Sequence, residues 1–433
     1  MEKKNNPESS EKKDREGAPE KILENKFFIW ICATIIFSGL LSLKNDFVVS
    51  SGVVSHIVSI IKPSPSPIHL QLDPAPKTVK GIYLTAWSAS NPKRINEIIN
   101  LAKNTEINGV VIDIKDYTGR VFFETQNTLI KEISSEEPRI KNLADLIKTL
   151  HQEKIYVIAR LAVFQDLYLA ENKPEYAIKN SSTGNIWRDN KKLAWVDPGS
   201  KYVWDYNIAV VKEAARLGVD EINLDYIRFP SDGAIGQTNY PFFDQSQKTK
   251  PEQIREFFEY FKANTRDLGI KTSADLFGQS CFDLSDMNIG QILEYALPYF
   301  DYLSPMVYPS HYAPGFIGYK NPALYPYEII DYSMKKATAR RATLHQALNT
   351  NLTTASSTAL IPHIKIEKLP QNTGLAELRP WLQVFDLGAV YTPEMIRKQI
   401  QAVYDNGSTS SPQAGWYLWN PSNVYNQAAL EKE

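Results

Sequence analysis

From Val79 onward, runs of β-branched and aromatic residues alternate with stretches of helical period, and no other feature constrains the fold as tightly. The pattern predicts strands over Gly81–Trp87, Gly109–Lys115, Lys154–Phe164, Glu221–Tyr226, Lys271–Phe277, Tyr302–Met306, Trp381–Phe385 and Gly415–Trp419. Helices are predicted from near Pro92, and over Asn142–Glu153, Ser200–Leu217, Pro251–Leu268, Asn288–Tyr299, Tyr327–Arg340 and Pro393–Asn406. Such alternation calls for a parallel sheet with right-handed crossovers. Eight units over roughly 345 residues match a (β/α)8 barrel of the TIM type. An open doubly wound sheet is the alternative, but no Gly-rich dinucleotide fingerprint or phosphate loop follows any strand. The barrel is expected over 79–425, with an insertion at 342–378 and a tail at 426–433.

The 78 residues before it are of another kind. Residues 1–26 carry seven Lys/Arg and seven Asp/Glu with little apolar surface, the composition of a disordered tail. Phe27–Leu43 follows as 17 uncharged residues between Lys26 and Lys44, near the lower length limit for a transmembrane helix. A cleaved signal peptide is the rival reading, with Val49-Ser50-Ser51-Gly52 as a weak cleavage site. Seven Lys/Arg precede the segment, whereas Lys44 and Lys62 alone follow it closely. That asymmetry puts the N-terminus in the cytoplasm and the barrel outside, on a single-pass anchor in the cell membrane. The stretch 47–61 is moderately apolar and carries His56 and four serines; 62–77 is Pro-rich. Together 44–78 read as a stalk and semi-rigid linker.

Charge and cysteine content narrow the function. Lys+Arg total 48 against 49 Asp+Glu, a net charge of -1, so no basic field awaits a nucleic acid. Two cysteines and six scattered histidines offer no disulfide framework and no metal-ligand spacing, and no cofactor is expected.

A (β/α)8 barrel carries its chemistry at the C-terminal ends of its strands. Period-2 alternation places Asn223 with Asp225, Ser273 with Asp275, and Asp113 with Lys115 toward the interior, with Asp116 just beyond. Arg160 stands between apolar neighbours on the third strand. Charged groups facing a barrel interior are costly unless paired, so several together point to function. Asp225 and Asp275 are the preferred carboxylate pair, since glycosidic cleavage uses one carboxylic acid and one carboxylate. Structural ion pairing with Arg160, Lys115 or Arg228 is the competing explanation for each acid. Asp386 after the seventh strand is a reserve candidate. Trp87, Tyr117, Tyr226, Tyr308, Tyr312, Trp419 and Tyr425 gather at the same face, and aromatic faces suit the C–H faces of sugar rings. His311 follows the sixth strand and is placed to orient a carboxylate or meet a hydroxyl.

These residues also carry a family resemblance. Val110–Asp116, Tyr156–Arg160, Asn223–Gly233, Ser273–Gly278, Ser304–Tyr312, Arg379–Gln383 and Gly415–Asn420 occur in order, each on or beside a predicted strand. Over about 79–425 the chain resembles the bacterial family of putative glycosyl hydrolases with a (β/α)8 domain. The resemblance implies that barrel fold and a carbohydrate substrate. A fainter similarity links the fourth strand to chitinase-like barrels, whose alternating acidic series ends in a catalytic Glu. Asn223 and Asp225 match two of those positions, but Ile227 stands where the Glu would be.

The leading expectation is therefore a membrane-anchored glycoside hydrolase acting on an extracytoplasmic polysaccharide. Asp225 would be nucleophile or base and Asp275 the acid. Trp87, Asp113, Lys115, Asp116, Arg160, Asn223, Tyr226, Arg228, Tyr308, His311, Asp386 and Trp419 would bind or position substrate. A non-catalytic polysaccharide-binding barrel is the second expectation. A hydrolase of esters or amides is the third, although the chain lacks a Gly-x-Ser-x-Gly nucleophile motif.

Overall fold

The computed structural model describes residues 70–349, 361, 364–371, 373–406 and 414–432. The expected tail, apolar segment and stalk up to residue 69 lie outside the described residues. Among those described, no helix is long and apolar enough to cross a membrane.

Eight parallel strands close into a barrel: β1 (Val79–Leu84), β2 (Gly109–Lys115), β3 (Tyr156–Ala162), β4 (Glu221–Asp225), β5 (Lys271–Phe277), β6 (Tyr302–Met306), β7 (Trp381–Gln383) and β8 (Gly415–Trp419). Closure comes where Trp381 pairs with both Met306 and Tyr417, and where Val79 pairs with Gly415. All seven residues of β2 and of β3 are buried, as strands covered on both faces must be. Outward-facing residues such as Ile112, Leu161, Ile222 and Leu224 pack under the helices in one large cluster. The interior holds a smaller, more aromatic cluster that includes Tyr83, Tyr156, Trp381 and Tyr417.

The helices begin where their caps say they should. In α1 (Pro92–Lys103) Asn91 caps and Pro occupies the first turn, where its missing N–H costs nothing. Ser200 caps α3 (Lys201–Arg216), which follows α2 (Leu143–Gln152). Thr249 and Glu252 form a capping box on α4 (Lys250–Thr265). Thr392 caps the last helix, Pro393–Asp405.

Two predicted helices change. The expected helix over Asn288–Tyr299 shrinks to one turn, Leu293–Ala296, because Met287, Asn288 and Gly290 all take positive φ. A Cβ on Gly290 would also lie 2.8 Å from Ile254 Cγ1. The helix expected to stop at Arg340 instead runs over Pro326–Asn349, so the start of the 342–378 stretch is helical. Ile361, Ile364, Ile366 and Leu369 beyond it are buried against the same cluster. Among the described residues no α-helix follows β8. A 3₁₀ turn at Gln427–Ala429 stands there, and Glu431 exchanges backbone and side-chain hydrogen bonds with Glu106.

At the N-terminal end of the barrel one buried ion pair holds four strands. Arg379 Nη1 meets Glu221 Oε2 at 2.9 Å, and Tyr417 donates to Glu221 Oε1 at 3.0 Å. Arg379 Nε donates to the Ala414 carbonyl at 2.8 Å, and its guanidinium lies 3.5 Å over the Tyr302 ring. Next to this plug the chain crosses itself closely. Gly415 has φ of 103°, and a Cβ there would sit 1.8 Å from the Val79 carbonyl oxygen. Gly415→Ala should therefore destabilise the domain by about 2–4 kcal/mol, combining backbone strain with overpacking. Urea denaturation measures it; a loss below about 1 kcal/mol would mean that the β1–β8 seam is looser than described.

Candidate active site

Inside the other end of the barrel, side chains from β2, β3, β4 and β5 converge on one guanidinium. Arg160 donates through Nη1 to Asp113 Oδ1 at 2.6 Å and through Nη2 to Asp225 Oδ2. Its Nε lies 3.6 Å from Asp275 Oδ2. The register makes this possible, since Asp113 and Asn223 both stand beside Arg160 on neighbouring strands. Asn223 Nδ2 then donates to Ser273 Oγ at 3.0 Å and Asp275 Oδ1 at 2.8 Å. The Trp381 indole N–H donates to the same Asp275 oxygen at 2.8 Å. Tyr83 donates its hydroxyl to Asp113 and stacks on Trp419, with ring centroids 3.9 Å apart. Arg160 lies 5.1 Å from the Trp419 ring centroid, so aromatic rings roof the cluster.

Three carboxylates around one cation leave an excess of negative charge in a dry place. Burial pushes the carboxyl pKa of Asp275 well above the usual value, and the charge on Asp225 adds to it. Burial likewise raises Asp113, while Arg160 and the Tyr83 hydroxyl work in the opposite direction. Burial opposes the charge on Arg160, yet Asp113, Asp225 and Asp275 outweigh it and keep the guanidinium protonated. Asp275 therefore favours its protonated form more than an ordinary carboxyl does.

Above Asp225 opens a cavity of about 310 Å³. Asp225, Tyr226 and Arg228 line it from the end of β4 onward, Phe277, Gly278 and Gln279 from the end of β5, and Met306, Tyr308, His311 and Tyr312 from the end of β6. The size is at the low end for small-molecule sites. Tyr226 takes φ of 52°, a left-handed conformation that a bulky side chain seldom adopts, immediately after the carboxylate. Its phenol pKa is pushed up to about 12, first by burial and then by Asp225.

With fold and cavity in view, comparison with known proteins places the chain. A family model described as a putative glycosyl hydrolase domain matches residues 81–425. The chain belongs to this family. Among solved structures, a hypothetical protein from Ruminiclostridium thermocellum is 39% identical over 45% of this chain and 96% of its own, with a TM-score of 0.41. The glycoside hydrolase domain of PgaB (BpsB) from Bordetella bronchiseptica is 14% identical, covers 80% of this chain and 95% of its own, and gives a TM-score of 0.51. That likeness shows the shared barrel. No protein of curated function matches the chain.

In this domain the expected site residues fall into three groups. Asp225, Tyr226, Arg228, Tyr308 and His311 line the cavity. Asp113, Arg160, Asn223 and Asp275 form the layer beneath it, each at most 5% exposed. The expectation that both Asp225 and Asp275 face the hollow is therefore corrected: Asp275 is 1% exposed and sealed by Asn223 and Trp381. Asn223, fully enclosed, orients Asp275 rather than touching substrate. Trp419 roofs Arg160 and lies outside the cavity wall, and Trp87 is an exposed rim residue with the Arg139 guanidinium 3.6 Å over its ring.

Three further placements differ from expectation. A bulge between Asp113 and Lys115 breaks the alternation, so Lys115 pairs with Leu161 and points outward to the helices. There its Nζ meets Asp166 Oδ2 at 2.8 Å and the Ala162 carbonyl at 2.6 Å, fully buried and out of reach of any ligand. Asp116 caps the turn that follows, accepting from the Thr118 amide at 2.9 Å. Asp386 is exposed in a loop because β7 ends at Gln383, and it accepts from the Tyr391 amide at 2.8 Å. Of the other expected aromatics, Tyr312 lines the cavity, whereas Tyr425 bonds the Tyr83 backbone behind β1. Phe277, Gly278, Gln279 and Met306 were missed as cavity wall; their position at or just past strand ends was the available signal.

The raised pKa of Asp275 has a consequence for stability. The folded protein holds a proton there that the unfolded chain releases above its ordinary carboxyl value of 3.8. Stability contributed by Asp275 is complete below that value and is lost as pH rises toward the folded pKa. Asp275→Asn keeps the acceptor oxygen for Asn223 and Trp381 and removes the titration. The variant's melting temperature should fall less than the wild-type one over the window above pH 3.8. Parallel melting curves across that window would refute the assignment.

Proposed function

We propose that the domain is a glycoside hydrolase that cleaves a polysaccharide outside the cytoplasm, using Asp225 and Asp275 as its carboxylate pair. The observation that carries this reading is the crowding of three carboxylates on Arg160 directly beneath a cavity that Asp225 lines. Asp225 is held ion-paired to Arg160 and faces the bound sugar, as a nucleophile or a base that activates water must. Asp275 supplies the proton. Because Asp275 is enclosed, we assign the relay to Tyr308, which lines the cavity and whose hydroxyl pKa is raised chiefly by burial. Tyr308 gives its proton to the leaving oxygen as it receives the one from Asp275, so the step is balanced. Attachment to the membrane through residues 27–43, with the N-terminus in the cytoplasm, is part of the proposal; the Lys/Arg asymmetry around that segment supports it.

A second reading is favoured by the enclosure of Asp275 itself: a barrel that binds polysaccharide without cutting it. One experiment separates the two. Asp225→Asn should lower release of reducing ends from a cleaved polysaccharide by about 10²–10⁴-fold while leaving its retention on the same glycan intact. Tyr308→Phe should slow cleavage without weakening retention. Retention by the wild type with no release from any of a panel of envelope polysaccharides would establish the binder.

A further inference from the structure

The cavity wall contains a cation that the proposed hydrolysis does not use. Arg228 is 8% exposed, and its guanidinium lies 4.7 Å from the Phe277 ring centroid, 4.9 Å from that of Trp195 and 5.4 Å from that of Tyr226. Nη1 donates to the Phe229 carbonyl at 3.0 Å. Among the described residues no carboxylate forms an ion pair with it, and Nε and Nη2 have no protein acceptor. The nearest acids are occupied elsewhere. Asp225 serves Arg160 and the Tyr226 amide, and Asp189 accepts from Gln165 and the Trp195 indole. Asp232 accepts from the Asn190 amide. The other buried arginines among the described residues are all matched to a carboxylate: Arg160 as above, Arg255 with Glu259, Arg379 with Glu221.

An enclosed guanidinium without an anion is an expensive arrangement, and aromatic faces offset only part of the cost. The wall is nevertheless built to hold it there, since the Asp189 carboxylate fixes the Trp195 indole that backs it. A planar fork with free N–H groups facing a cavity matches a bidentate oxyanion.

We propose that Arg228 anchors an oxyanion of the substrate, so that the cavity takes an acidic sugar, one bearing a carboxylate or a phosphate, in preference to a neutral one. This inference rests on the reading of the cavity as a glycan site. It also orients the sugar: the anion goes to Arg228 and away from Asp225, whose own charge repels it.

The test is a ligand-observed NMR titration of the full-length protein with methyl β-D-glucoside, methyl β-D-glucuronide and glucose 6-phosphate. The wild type should bind at least one acidic sugar about 10-fold or more tightly than the glucoside, and the winner tells carboxylate from phosphate. Arg228→Met should erase that preference, weakening the acidic sugar about 10-fold or more relative to the glucoside; Arg228→Lys should keep part of it. Equal wild-type affinity for all three sugars overturns the proposal, as does an Arg228→Met variant that loses neutral and acidic sugars alike, the signature of a clamp for the aromatic wall. If Arg228→Met does not fold, Arg228→Lys decides by the same ratio. Cleavage of a neutral polysaccharide that survives Arg228→Lys at full rate would end this inference and leave the hydrolase reading standing. No sugar bound by the wild type would end both.

Discussion

Three carboxylates on one buried guanidinium set the terms for everything else in the upper half of this barrel. Arg160 reaches Asp113 on one side of its strand and Asp225 on the other, with Asp275 one strand further. Such a cluster survives desolvation only if every member keeps its partners, because removing one leaves an uncompensated charge in a dry interior. The surrounding structure meets that demand. Asn223 and Trp381 supply donors to Asp275, Tyr83 supplies one to Asp113, and the Trp419 and Tyr83 rings keep water off the guanidinium. The low dielectric they create strengthens each of these contacts in turn.

A second buried arginine shows what a purely structural version looks like. At the opposite end of the barrel Arg379 meets a single glutamate, Glu221, and Tyr417 and Tyr156 fill the remaining acceptor sites. Charge there is balanced one to one, although Arg379 Nη2 stays buried without a partner. Around Arg160 the balance is three to one, and burial with the neighbouring Asp225 charge pushes Asp275 toward its protonated form. Packing alone would never favour that surplus. Its position under a cavity, at the end of the barrel where catalytic groups gather, gives it a use.

Much of this was legible before the fold was known, and what was missed has physical reasons. The strands β2, β5, β6 and β8 have the limits that their β-branched and aromatic runs predict. Period-2 parity correctly put Asp113, Asn223, Asp225, Ser273 and Asp275 on the interior. Parity failed at Lys115 because one bulged residue, Ile114, reverses every later side chain on the strand. The enclosure of Asp275 depended on Trp381, which lies 106 positions away and meets it only because β7 is pinched between β6 and β8. The cavity wall after β5 and β6 carries no periodic signal, since loop residues are placed by the strands they leave rather than by their own pattern.

The mismatch with chitinase-like barrels at Ile227 follows from the backbone as much as from the residue. Had β4 continued in register, positions 223, 225 and 227 would share the interior face, and Ile227 would stand beside the cavity where a catalytic Glu is wanted. Tyr226 instead turns left-handed, and Ile227 leaves the interior to pack, fully buried, with the outward-facing Ile222 and Leu224 under the helices. The next residue, Arg228, swings back into the cavity wall. A glutamate substituted at 227 would meet the apolar layer and no sugar. The one-residue turn thus leaves a cation, Arg228, in the cavity wall just past β4 rather than a second acid.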